Sequence, residues 1–204
     1  MKTPLILGGL AVIIVLLLSW NRFFGAGNVT AIITDPNNLP GIETGAAPWP
    51  AETAHLRERL AAIGVPALGT EGSTLHIHQH LDLVINGAPV VVPADIGVNE
   101  AAGFISPLHT HDASGVMHIE SNIVRDFTLG QFFDVWGVRF TRDCIGGYCA
   151  SATGSLKVYV NGSLAPGDPR ALALTAQQEI TVVYGTGQEM PKSIPASYSF
   201  PPGD

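Results

Sequence analysis

Six of the chain's seven histidines fall between positions 76 and 118. His76, His78 and His80 alternate in HIHQH. His109 and His111 alternate in PLHTHD. His118 stands in VMHIES, two residues before Glu120. Imidazole with carboxylate suits zinc, copper, iron or nickel. On a strand, residues i and i+2 share a face and lie about 6.6–6.8 Å apart. Two imidazoles so placed can converge on one ion through bonds of about 2.0–2.1 Å. Three in a row on a straight strand cannot. The expected site therefore combines two histidines of HIHQH with one or two from the later segments. His76, His78, His109 and His111 lead, followed by His80 and His118. Asp82, Asp112 and Glu120 are either direct ligands or carboxylates that orient imidazoles from behind. A pH-responsive histidine face is the competing reading, since imidazole titrates near neutrality.

Copper and zinc head the candidate ions. A blue-copper centre needs a cysteine thiolate, and Met117 alternates away from His118. An iron facial triad from His118, Glu120 and a distant histidine fits oxygenases, which often depend on cytosolic co-substrates.

Such ligands need strands to hold them. From Leu75 the pattern has period two: Leu75, Ile77, Leu81, Leu83 and Ile85 alternate with His76, His78, His80 and Asp82. That is a half-buried strand with a polar face. Asn86-Gly87 predicts a tight hairpin into a strand over 89–92. LKVYVNG at 156–162 repeats the LDLVING pattern of 81–87, and EITVVYG at 179–185 reads as a last strand. Between these hairpins, Leu129, Phe132, Phe133 and Trp136 mark one helical face, with Thr128 or Asp126 as cap and Gly137 as stop. A shorter helix follows Pro50, with Leu56, Leu60 and Ile63 inward and Gly64 as its stop. The expected fold is α+β and mostly β: a β-grasp-like antiparallel sheet with hairpins and one packed helix.

Residues Pro4–Trp20 carry no charge and almost no polar side chain. With Phe23 and Phe24 they reach the length of a spanning helix. We expect a membrane anchor over 1–24, a cleaved signal peptide being the alternative, a flexible Gly/Pro/Asn/Thr-rich stalk over 25–51, and an extracytoplasmic domain over 52–204. Lys2 ahead of the apolar run favours an inside N-terminus. Cys144 and Cys149, flanking a Gly-Gly loop, pair as a disulfide in an oxidising compartment, a two-thiolate metal site being the alternative. The formal net charge is −7, and no run of Lys or Arg occurs. Nucleic acid is thus an improbable partner; the membrane and a metal ion are the expected ones.

The stretches HIHQHLDLVINGAPVVVPADIGV, SPLHTHDASGVMHIES and FTLGQFFDVWGVRF, with the ending QEITVVYG…IPASYSFPPG, resemble a family of exported microbial proteins over roughly residues 52–202. The resemblance implies an exported domain and assigns no activity. The HxH…H layout is also similar to the zinc strands of α-type carbonic anhydrases, although the intervening sequence differs. PLHTH is similar to the HxH of cupins, without their following Glu.

Two functions compete. One is a membrane-anchored protein that captures, buffers or delivers copper or zinc. The other is a zinc-dependent hydratase or hydrolase. It would hold zinc through three histidines, keep an open water position, and use Glu120 or Asp112 as general base. A metal that merely clips the fold together is the plainest version.

Overall fold

The computed structural model describes residues 35–201. The apolar segment expected as an anchor lies outside them. Among the described residues no helix is long and apolar enough to cross a membrane.

Leu75–Ile85 form β1, the long central strand, and Ala88–Val90 form β2. The Asn86-Gly87 turn between them takes positive φ at both residues, 51° and 79°. That is the twist-matching geometry of a two-residue hairpin, tolerated best by Asn and Gly. Val98–Asn99 (β3) and Phe104–Ile105 (β4) make a small side ribbon. Leu108–His109 (β5) and Val116–Ser121 (β6) return to the main sheet. Cys144–Ile145 (β7) and Tyr148–Cys149 (β8) form a ribbon closed by the Cys144–Cys149 disulfide. Gly154–Val160 (β9), Ser163–Leu164 (β10) and Glu179–Thr186 (β11) complete the set. The β9–β10 turn, Asn161-Gly162, repeats the first hairpin's geometry at φ 49° and 79°.

The main sheet has seven strands, in the order β10-β9-β11-β1-β6-β5, with β2 also paired to β1. It is mixed. β1 and β11 run parallel, from His80↔Glu179 to Ile85↔Tyr184, and the other pairings are antiparallel. The expectation of a wholly antiparallel sheet is corrected at this one pair. The physical reason is that β11 reaches β1 by a crossover through the helix and β9, which no tight turn constrains to reverse direction.

Register sorts the two faces. Leu81↔Ile180, Leu83↔Val182, Ile77↔Ile119, Gln79↔Met117 and Leu108↔Ile119 stand on one face. Two helices belong to the core that this face joins. Leu56–Ala62 is α1 and Leu129–Trp136 is α2. α2 begins with a full capping box, Thr128 with Gln131, and stops at Gly137 in the left-handed conformation. Its Phe132, Phe133 and Trp136 are wholly buried. Arg59 of α1 is buried too, bonded to Glu52 and to the carbonyls of Pro40 and Val135.

The stalk expectation needs correction over its described part. Leu39 and Trp49 belong to the core, Trp49 lies edge-on to Trp136 at 6.1 Å, and Glu43 bridges to Val138. Packing an indole and a leucine fixes this segment, so the domain begins ahead of residue 52.

Candidate metal centre

The opposite face of β1, β6 and β5 carries the histidines, and register brings them together. His78 stands opposite His118, and His118 opposite His109. One row of three imidazoles thus crosses three strands. A second row begins with His76 opposite Glu120. His111 follows the end of β5 and folds back over the first row, its ring 4.7 Å from His109 and 4.4 Å from His118. Directly opposed residues have Cβ atoms about 4.5–5.5 Å apart, so neighbouring imidazoles on one face must meet.

The ring nitrogens converge. His76 Nε2 lies 3.0 Å from His78 Nε2, and His109 Nε2 lies 3.1 Å from His111 Nε2. Two ligands of a tetrahedral ion with bonds of about 2.0–2.1 Å stand about 3.3 Å apart. Glu120 Oε1 lies 3.2 Å from His76 Nε2 and 3.4 Å from His118 Nδ1. Two sets of donors result, each with ligand atoms within 4.8 Å of one another. One is His76, His78, His118 and Glu120; the other is His109, His111, His118 and Glu120.

Burial is graded. His109 and His78 form the floor at 0% and 4% exposure, while the His76 and His111 side chains stand at the rim at 52% and 46%. Nδ1 of His109 faces the Ser106 carbonyl at 3.0 Å. A carbonyl only accepts, so Nδ1 carries the proton and Nε2 presents its lone pair to the cluster. Burial, then the neighbouring His111, His118 and His78, push the His109 pKa down to about 3, against the Ser106 bond. His109 is therefore neutral at physiological pH, the form that binds metals. Burial and then the nearby Glu71 carboxylate raise Glu120 above the usual carboxylate range, against pulls from His76 and His111.

Glu71 was missed by the sequence reading. It reaches His111 Nε2 at 3.5 Å from the segment before β1. That segment passes so close to β6 that a Cβ on Gly72 would stand 2.3 Å from the Ser121 carbonyl carbon. No periodicity marks such a loop contact.

His80 is placed differently. Its Nδ1 bonds Glu179 Oε2 at 2.8 Å, its Nε2 donates to the Ser114 carbonyl at 2.9 Å, and Tyr198 stacks on its ring at 3.8 Å. His80, Asp82 and Glu179 form a third donor set by distance. Both imidazole nitrogens there already have protein partners. Burial works to lower the His80 pKa, yet the Glu179 bond and charge outweigh it, and the net shift is upward. Asp112 belongs to none of the three sets. Its carboxylate accepts from the Ser114 backbone amide at 2.8 Å, and bonding to the Ser114 side chain, then to that amide, lowers its pKa.

No protein-family model, curated protein or solved structure matches the chain.

Proposed function

We propose that this protein is a membrane-anchored, extracytoplasmic binding protein for copper or zinc, which captures, buffers or delivers the ion. One observation carries the reading: two HxH pairs aim their Nε2 atoms at each other, at 3.0 and 3.1 Å, beside a shared His118 and Glu120. Imidazoles packed for hydrogen bonding alone find carbonyls or carboxylates, as His80 does. Pairs whose ring nitrogens turn on each other instead match the donor spacing of a bound ion. The half-exposed His76 and His111 give the ion a way in and out, which suits exchange with a donor or acceptor. Two surface concavities, one around Leu156 and Leu164 and one around Ile85 and Tyr148, include none of the histidines.

The strand order β2-β1-β11-β9, with α2 between its hairpins, supports a β-grasp-like scaffold, to which β6 and β5 add the metal face. The disulfide and the apolar segment over 4–20 support export and anchoring.

Zinc-dependent hydration or hydrolysis is the second reading. A carboxylate at the solvent edge favours it: Glu71, half exposed, stands beside the His111 rim.

The test measures metals in the full chain, exported and purified in detergent. A His78→Ala/His109→Ala double variant is measured beside it, with folding followed by circular dichroism. Bound zinc or copper that disappears in a folded variant supports the reading and names the ion. A wild type that stays empty after reconstitution with both ions refutes it. Hydratase and esterase assays on a zinc form then separate the two readings.

A further inference from the structure

We propose that the cluster is a two-ion centre in which Glu120 bridges the ions. His76 and His78 hold one ion, and His109 and His111 hold the other. The inference rests on the metal-binding reading and adds to it the number and arrangement of the ions.

The donor geometry divides the cluster. Two ligands on one zinc or copper ion, each about 2.0–2.1 Å away, stand at most about 4.2 Å apart. Each HxH pair meets a generous form of that limit with His118 and Glu120, and no set contains both pairs. A single ion drawing on both pairs would need the side chains to move further than two ions, one per pair, would.

The donor count points the same way. Five imidazoles and Glu120 surround the face, and four donors fill a typical zinc shell. One ion would leave two imidazoles idle. Two ions use all six, and Glu71 adds a further oxygen 3.5 Å from His111. Glu120 stands where a bridge is required. It belongs to both sets and is nearly buried, and its carboxylate has two oxygens, one for each ion. His118 lies between the pairs, with its ring 4.4 Å from the rings of both His78 and His111. As a neutral imidazole it fills one shell only. The two ions therefore differ in donor number, and the second binds more weakly than the first.

The rim histidines make the test clean, because His76 and His111 are about half exposed and their removal leaves the core intact. The full chain is titrated with Zn(II) alone and, separately, with Cu(II) alone. Bound ions are counted by native mass spectrometry, and the copper form is examined by electron paramagnetic resonance. Two ions per chain are expected, taken up in two steps. His76→Ala and His111→Ala should each retain one, and Glu120→Gln should weaken the second step at least tenfold. Two bridged Cu(II) ions should give well under two spins per chain. One ion per chain in the wild type overturns the two-ion centre and leaves the metal-binding reading standing. Two ions that persist in both rim variants place the metal elsewhere and overturn it as well. No ion at all removes both the two-ion centre and the function on which it rests.

Discussion

His78 and His80 sit two residues apart on one strand and one face, yet they live in different chemistry. His78 is paired across β6 to His118, and imidazoles surround it. His80 is aligned across β11 with Glu179, which takes one ring nitrogen while the Ser114 carbonyl takes the other. The strand supplies the same residue type twice, and the neighbouring strand decides what it does. Beside β6, imidazoles turn their ring nitrogens on one another, in sets that could hold a cation. Beside β11, an imidazole is itself the cation's stand-in, held between a carboxylate and a carbonyl.

This contrast is sharpest in acid, where the metal-free protein should show its largest effect. The folded His109 pKa of about 3 lies below the unfolded value of 6.5. The unfolded chain therefore takes up the proton first. Stability from this group is complete above about pH 6.5 and is lost as pH falls toward 3. At about 1.4 kcal/mol per pKa unit the full shift amounts to roughly 5 kcal/mol. His80 has the opposite sign. Its folded pKa is raised, so its contribution is present below 6.5 and is lost as pH rises through the folded value. Urea unfolding across pH should show His109→Gln flattening the acid limb and His80→Gln flattening the neutral-to-alkaline one. Identical profiles for the two variants would dissolve the contrast.

Removing Glu179 breaks the pair from the other side. The carboxylate is 1% exposed and its partner 8%, so Glu179→Ala leaves the buried His80 ring without the carboxylate that holds its proton. Loss of one partner of a buried pair costs up to about 3–5 kcal/mol, and less where the remaining ring can shed its proton. Denaturant midpoints should fall accordingly, with metal stoichiometry unchanged in the folded fraction. Bound zinc that vanishes with Glu179 would join the two regions into one site.

Metal should then stabilise the imidazole region selectively. At a free ion concentration one hundred times Kd, a site present only in the folded state adds about 2.7 kcal/mol. Calorimetry should show that increment in wild type and Glu179→Ala alike, and lose it in His78→Ala/His109→Ala.

The smallest effect belongs to the β7–β8 ribbon, which is remote from both regions in the pairing scheme. Its disulfide closes a short loop, worth about 2 kcal/mol by chain entropy. Cys144→Ser/Cys149→Ser should lower the thermal midpoint modestly and leave metal content unchanged. Lost metal would revive the cysteines as part of the site.

Local order was legible in the sequence. The alternation from Leu75, the two Asn-Gly hairpins, and the helix between Thr128 and Gly137 all follow from short-range rules. The convergence of His118 was only half legible. VMHIES sets His118 and Glu120 on one face, but their positions opposite His78 and His76 come from strand register, which no local pattern contains. Glu179 was hidden for the same reason, at a separation of 99 residues from His80. Gln79 occupies a core-facing position with its amide buried and without a hydrogen-bond partner among the described residues, against the alternation around it.

The pairing of β1 with β6 on one edge and β11 on the other also sets an order of events. His78 and His118 are 40 residues apart, whereas His80 and Glu179 are 99 apart. Closing the longer loop costs only about 0.8 kcal/mol more, a bias and not a barrier. Synthesis from the N-terminus adds direction to that bias. Glu71 through Glu120 emerge while β9 and β11 are still to come. The ligands can thus meet across β1 and β6 before the parallel strand arrives. An ion captured at that moment would serve as a nucleus for folding, and the last strand would then add to β1 beyond a site already loaded.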